Sequence, residues 1–391
     1  MSENTKENKE IQKELEIFAL ATDPIYIGTG GYTIGRVDNT IVRDPITNVP
    51  KIPGSSLAGT WRYYTVLEIH KYFSDDGYRI KKPSRKDKSL NEIFTDDAPD
   101  WIKNFEGNKY IGIKCAGQDD TPYLDFEKNG TDEEKNKTGH CGHCIVCKGF
   151  GFSKRDISWQ GQIFFSDLNI IFFPVFTIKG TKWITTRKAL EEIRLKDIGN
   201  IEEQQNQNRE NLCFVFKKLE ENETEGHINL GWLYLPYKVE NDENLKNNIQ
   251  RILNNLQFQV NFSLKDIIIV PEDLFSHIVN SNLEVRTSVS IDPITGAAKE
   301  GALFTSEAIP RGTIFYGNIR IFDKSVFEEI ENKLKPLPDK DKLNNALKDS
   351  KHYYETLGIG GMTTRGFGRL KINLKEKNSN GGNPNESTTD G

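Results

Sequence analysis

The chain has 391 residues, 52 lysines and arginines against 57 aspartates and glutamates, and a formal net charge of −5; this is room for two or three ordinary domains or one elaborated domain. An apolar share of 36% beside a charged share of 28% fits a single core padded with polar insertions. The negative balance excludes a generic polyanion binder and allows only local basic patches, and the lack of a membrane-length apolar run or a leader-like start leads us to expect a cytoplasmic protein.

Residues 1–13 are polar and are expected to be loose. Leu15–Ile27 alternates as a strand does, and a loop, Gly28–Asp44, follows with Arg36, Asp38 and Arg43 in it. Pro53-Gly54-Ser55-Ser56 predicts a helix start with a serine as N-cap, and Leu57, Trp61, Tyr64 and Leu67 recur at helical spacing. Ile163–Phe173 reads as a buried strand and Thr186–Ile198 as a helix. Val285–Ile291 enters the turn formers Asp292-Pro293 and Thr295-Gly296, and the chain returns through Ala302, Leu303 and Phe304 to a break at Pro310-Arg311-Gly312. So few apolar residues flank the tip that this long hairpin is expected to reach a partner. A strand follows through Ile314–Phe322, then helices over Ser325–Lys335 and Lys342–Leu357, with Gly358 as the stop, and a closing strand over Phe367–Leu374. The last stretch, 375–391, has no apolar anchor and reads as a disordered tail. The fold class is α+β, with helices packed on a mainly antiparallel sheet.

Three motifs carry chemistry. At Gly54-Ser55-Ser56, free backbone N–H groups, hydroxyls and the positive end of the helix dipole favour an anion; the plain alternative is an N-cap. Gly358–Gly368 holds five glycines, which let a backbone approach a ligand closely, and Thr363, Thr364 and Arg365 offer phosphate donors. The plain alternative is a tight inter-element loop, and a dinucleotide site is excluded because the glycine spacing is wrong and a strand, not a helix, follows. Cys141-x-x-Cys144-x-x-Cys147 predicts a metal site. Zinc is favoured over iron–sulfur, with Cys115, His140 or His143 as fourth ligand and Cys115 preferred. Such a closed site is structural and would pin an insertion too polar to fold alone. Cys213 reads as a small buried hydrophobe, and His70, His227, His277 and His352 as structural.

Three blocks, Gly28–Arg62 (GTGGYTIGRVDNTIVRDPITNVPKIPGSSLAGTWR), Val289–Asn318 (VSIDPITGAAKEGALFTSEAIPRGTIFYGN) and Leu357–Leu370 (LGIGGMTTRGFGRL), stand in this order. Together they resemble the RAMP superfamily of CRISPR-associated proteins, and within it the repeated backbone subunit of type III effector complexes. GRVDNTIVRDP and KIPGSSL look like its Csm form; GQIFFSDLNIIFFPVFTIKGTKWITT and GAAKEGALFTSEAIPRGTIF look like its Cmr form, towards which the chain leans.

The resemblance implies a single RAMP domain over about 14–373, built on a ferredoxin-like, RRM-related core. It has a thumb hairpin and insertions at about 74–150, zinc-binding, and 190–285, helical and polar. It implies guide RNA, complementary target RNA, further copies of the chain and other effector subunits as partners. The guide would lie against Arg36, Arg43, Lys51, Gly54, Ser55, Ser56, Arg62, Arg286, Arg311, Gly360, Gly361, Thr363, Thr364 and Arg365. The family's lysine is replaced by Ala58, and Arg62 or Lys51 is expected to compensate. Asp38 stands where the family needs an aspartate to cut target RNA. It would accept a proton from the RNA 2′-OH or hold a divalent ion such as Mg2+; Asp44 is the neighbouring alternative. A lone loop aspartate is otherwise a turn or cap residue. Against the cutting subunit stand a filament subunit that binds the guide without cutting and a standalone processing nuclease. The latter is disfavoured because no histidine lies in these motifs. A nucleotide-using enzyme is disfavoured by the absence of a phosphate-loop motif.

Overall fold

The computed structural model describes residues 11–30, 37–80, 85, 87–117, 139–154, 157–193, 211–219, 224–256, 258–260, 262–327, 329–330 and 332–377. Arg36, both expected tails beyond 11–13 and 375–377, and parts of both expected insertions lie outside these residues. The strands are β1 (Gln12–Ala21), β2 (Lys51–Ile52), β3 (Phe152–Lys154), β4 (Ile157–Trp159), β5 (Ile163–Phe165), β6 (Leu168–Thr177), β7 (Gly180–Thr185), β8 (Cys213–Val215), β9 (Glu225–Leu230), β10 (Leu233–Val239), β11 (Ile267–Ile269), β12 (Glu284–Ile291), β13 (Ala298–Ala308), β14 (Ile314–Phe322) and β15 (Leu370–Glu376). The helices that matter below are α1 (Gly54–Lys71), α2 (Ile145–Phe150), α3 (Glu243–Asn255), α4 (Glu272–Ser281) and α5 (Lys340–Ser350).

Eleven strands form one sheet in the order β15-β1-β14-β6-β7-β11-β8-β10-β9, with β2 on β6 and β5 on β14. Its first four strands are mutually antiparallel. In β1, Leu15, Ile17, Ala19 and Ala21 point into one core and Phe18 into the other. This is the period-2 alternation of a strand buried on both faces. On the first face, Leu57, Trp61 and Tyr64 of α1 meet Leu343 and Leu347 of α5, and the Trp61 indole N–H donates to the Leu347 carbonyl at 3.2 Å and the Ser350 hydroxyl at 3.1 Å. On the second, Phe18, Ile171, Phe172, Ile314 and Tyr316 are covered by Leu245, Ile249, Ile252 and Leu253 of α3.

That cover departs from the sequence reading. The stretch 190–285 was expected to be helical; the described part adds β8, β9, β10 and β11 to the sheet, beside α3 and α4. Two of these strands, β8 and β11, are three residues each and pair with partners distant in sequence, as in the parallel pairings of β7 with β11 and β8 with β10, so local periodicity does not reveal them; β9 and β10 form a local antiparallel hairpin that the sequence reading missed. The expected helix over Ser325–Lys335 is reduced to the 3-10 turns Lys324–Phe327 and Asn332–Leu334. The expected strand Ile163–Phe173 divides into β5 and β6. No helix among the described residues is long and apolar enough to cross a membrane.

Candidate nucleic-acid interface and metal centre

The three sequence blocks are brought together. The backbone bridges Ile25 to Ile309 and Gly28 to Ile41. Gly361 N–H donates to the Tyr26 carbonyl at 3.0 Å and Gly368 N–H to the Pro24 carbonyl at 2.9 Å. Gly360 sits at φ +81°, and a Cβ there would run into the Tyr26 carbonyl, so the close approach requires glycine. The Tyr64 hydroxyl of α1 donates to the Gly358 carbonyl. At the hairpin base, Arg286 donates to the Gly366 carbonyl at 3.2 Å and stacks its guanidinium 4.5 Å from the Phe367 ring centre.

Asp38 is clamped to the returning strand of the hairpin. The N–H and hydroxyl of Thr305 donate to its Oδ2 at 2.8 and 3.0 Å, and Asp38 N–H donates to the Thr305 hydroxyl at 3.1 Å. Asn39 continues the contact as a parallel bridge to Ser306. The Thr305 N–H, then its hydroxyl, hold the exposed Asp38 carboxyl below its ordinary pKa, so it is ionised at neutral pH. Its Oδ1 is bonded by no other described side chain. Asp44 is also ionised, at about 2, held there by the Thr47 N–H, then by Ile46 and Lys51. It caps its own turn with bonds from the Ile46 and Thr47 N–H groups at 3.0 Å. Sequence reasoning missed Thr305; nothing local marks a threonine inside a strand as a carboxylate's partner.

Several expected phosphate donors are engaged within the chain. Arg43 is shared among Asn280, the Ile41 carbonyl and Glu307 at 2.8 to 3.0 Å. Lys51 bridges Asp44 and Asp167 at 3.2 and 2.7 Å. Arg62 was expected to compensate for Ala58 and does not lie free to do so: its guanidinium donates to the carbonyls of Cys115 and Gly151 at 2.7 Å and meets His140 Nδ1 at 2.8 Å. The helix start differs as well. No serine caps α1; Gly54 N–H donates to Asp167 Oδ1 at 2.8 Å, so a carboxylate from the β5–β6 turn takes the first anion position. Ser55 is exposed and Ser56 half-buried. Arg311, Thr364 and Arg365 are exposed, the two guanidinium groups bonding to none of the described residues, and Thr363 is half-buried.

The cysteines converge as the spacing predicts. The Sγ atoms of Cys115, Cys141, Cys144 and Cys147 all lie within 4.8 Å of one another. Backbone N–H groups of His143 and Cys144 point at Cys141 Sγ, at 3.3 and 3.2 Å, and Cys147 N–H at Cys144 Sγ, at 3.5 Å. Such donors stabilise thiolates. Hydrogen bonds from Cys141, then Cys144 and Cys147, pull the Cys115 thiol far down, while burial pushes Cys144 well up. This set fits a tetrahedral divalent ion. Of the open alternatives for the fourth position, His140 faces Arg62 and His143 is exposed against Tyr110, while Cys115 stands with the other three.

The family model of the RAMP superfamily matches residues 19–371. The chain is 25% identical over 231 residues to the CRISPR system Cmr endoribonuclease Cmr4 of Pyrococcus furiosus, covering 57% of this chain and 72% of that protein. It is 38% identical over 69 residues to the CRISPR system Cms endoribonuclease Csm3 of Mycobacterium tuberculosis, covering 18% of this chain and 28% of that one. A chain from the cryo-EM structure of the type III-B Cmr-beta apo state shares the fold, with a TM-score of 0.50 at 13% identity over 93% of this chain and 97% of that one. The family match spans the Asp38 loop, the hairpin and the glycine loop together, and the chain belongs to the RAMP superfamily.

Proposed function

We propose that this chain is a guide-RNA-binding backbone subunit of a type III CRISPR ribonucleoprotein that cuts complementary RNA once per copy, at Asp38. The carrying observation is the clamp between Asp38 and Thr305, which fixes an ionised carboxylate at the base of a long projecting hairpin. The names of the relatives, two endoribonucleases, support the reaction class. We read β15-β1-β14-β6 with α1 and α5 as a ferredoxin-like core. Its second face, which RRM-type proteins offer to bases, is covered by α3, so RNA would run across the loops and the hairpin. Copies would assemble head to tail, each hairpin reaching over its neighbour. The protein would be cytoplasmic.

The RNA supplies its own nucleophile, the 2′-OH, and the hairpin would splay the strand so that this oxygen lies in line with the next phosphate. Asp38, ionised and exposed, would accept the 2′-OH proton as that oxygen bonds to the phosphorus, while the P–O bond to the 5′-oxygen breaks and the leaving oxygen takes a proton from water. Alternatively, Asp38 would hold a divalent ion such as Mg2+, which would supply charge neutralisation at the scissile phosphate. Arg311 and Arg365, with Ser55 and Thr364, remain as exposed phosphate donors, beside the half-buried Ser56.

The clamp also favours a second reading, a non-catalytic filament subunit, because a carboxylate that accepts two bonds from Thr305 has a structural task already. Asp38→Asn separates the two: the amide oxygen still accepts from Thr305, and only the charge is lost. We expect the assembled complex carrying Asp38→Asn to bind target RNA as the parent does and to cut it at least about 100-fold more slowly. Cutting by Asp38→Asn at the parent rate, with Asp38→Ala defective in hairpin order, leaves the structural reading alone standing.

A further inference from the structure

The cysteine lobe contains two buried cations that no acid among the described residues balances. Arg85 and Lys148 are both 0% exposed. Arg85 donates to the Ile111 carbonyl at 2.7 Å and lies over the Phe73 ring at 4.9 Å, and its Nε and second terminal nitrogen have no partner among the described residues. Lys148 donates to the Leu334 carbonyl at 2.6 Å and lies over the Phe152 ring at 5.6 Å. Neither pairs with a carboxylate among the described residues. Elsewhere the chain avoids this: the near-buried Lys182 has Asp266 at 2.9 Å. A buried charge without a counter-charge costs several kcal/mol, on the order seen for broken buried ion pairs.

The cysteine cluster supplies what is missing. Both cations lie beside it: Lys148 follows Cys147 in α2 and its backbone N–H donates to the Cys144 carbonyl at 3.0 Å, while Ile111 and Phe73, which hold Arg85, share one buried cluster with Cys115, Cys144 and Cys147. Four thiolates around one divalent ion carry a net charge of −2, and two cations return it to zero. We propose that Arg85 and Lys148 are the buried counter-charges of a tetrathiolate metal centre, so that this lobe is electrically balanced only with a divalent ion bound. This rests on the zinc reading of the four cysteines. Arg62 adds a tether and no third counter-charge: it is half-buried and spent on Cys115, Gly151 and His140. Loss of metal would leave both cations stranded, which couples folding of the lobe to loading in one step.

The test uses the full chain with Arg85→Met, Lys148→Met and the double variant, and Arg85→Lys and Lys148→Arg as charge-keeping partners. Elemental analysis of the parent comes first; one zinc per chain is expected, and none overturns the zinc reading and this inference together. Chelator competition should show zinc held at least 10-fold more weakly for each charge removed and near the parent level in the charge-keeping variants. Thermal unfolding distinguishes charge from packing. With metal bound, each methionine variant should melt below the parent; with metal removed, it should melt at the same temperature or higher, because a stranded charge has gone. Parent-like zinc affinity in the methionine variants overturns the inference while leaving the zinc site intact. Equal destabilisation with and without metal overturns it also, since the two residues would then be mere packing.

Discussion

The two insertions are attached to the core by different physics. The described part of 190–285 joins the sheet: β11 pairs with β7, β8 with β11 and β10 with β8, and α3 lays Leu245, Ile249, Ile252 and Leu253 over the second face. The described part of 74–150 adds no strand to that sheet. It is made of short turns, with Phe94, Trp101, Phe105 and Ile111 buried against the first face, and side chains join it to the helices: Arg62 from α1 and the Trp101 indole to Asp349 at 2.7 Å. A backbone ladder lets a polar stretch ride on the sheet. Without one, a local cross-link has to replace the missing cooperativity, and four cysteines stand where that link is needed.

The largest expected effect breaks the comparison on the metal side. Cys144→Ser, or chelation of the parent, should open the lobe around 85–117 and 139–151 while leaving β7–β11 protected. At free zinc 100,000-fold above Kd the lost linkage is about 7 kcal/mol. Hydrogen exchange resolved by segment checks it; loss of protection in α3 to the same extent would mean that the insertions are one cooperative unit. Next comes Ile249→Ala in α3. Removing a fully buried side chain should cost about 2–5 kcal/mol, with the same denaturation midpoint shift whether or not zinc is present. A zinc-dependent shift would contradict the separation.

The same contrast explains what could be read from the sequence. The cysteine lobe announces itself because thiol spacing is local, and Cys115 is the one member of the four-cysteine cluster reached from outside the motif. The hairpin and α1 are equally local, in alternation and in the spacing of Leu57, Trp61 and Tyr64. The fates of Arg43, Lys51 and Arg62 were not legible, since Glu307, Asp167 and the Cys115 carbonyl come from far along the chain. A guanidinium in a basic-looking loop gives no sign that a distant acceptor has claimed it. Nor did Arg85 and Lys148 stand out, since charge is informative only once burial is known. The strands β8 and β11 are three residues each, too short for a period to register.

The smallest expected effect sharpens the comparison at the ladder's edge. Asp266 accepts from Lys182 at 2.9 Å and from the Ser263 N–H and hydroxyl at 3.1 and 3.2 Å, closing the turn that leads into β11. Burial alone would raise its carboxyl; the Lys182 and Ser263 bonds outweigh it, and the net shift is below the ordinary 3.8. A depressed carboxyl contributes its stability in full above the unfolded value and loses it as pH falls through the folded value. Asp266→Asn keeps one acceptor and removes the charge, and should cost about 1 kcal/mol at neutral pH. The difference from the parent should hold down to about pH 4–5, near the unfolded carboxylate value, and close as the pH drops further. It should be the same with zinc present or chelated, because Asp266 acts on the sheet-borne insertion and not on the metal lobe. Urea titrations at neutral and acid pH, each with and without chelator, measure all four quantities; a cost that changes with zinc would tie the β11 turn to the cysteine centre and remove the independence on which the contrast rests.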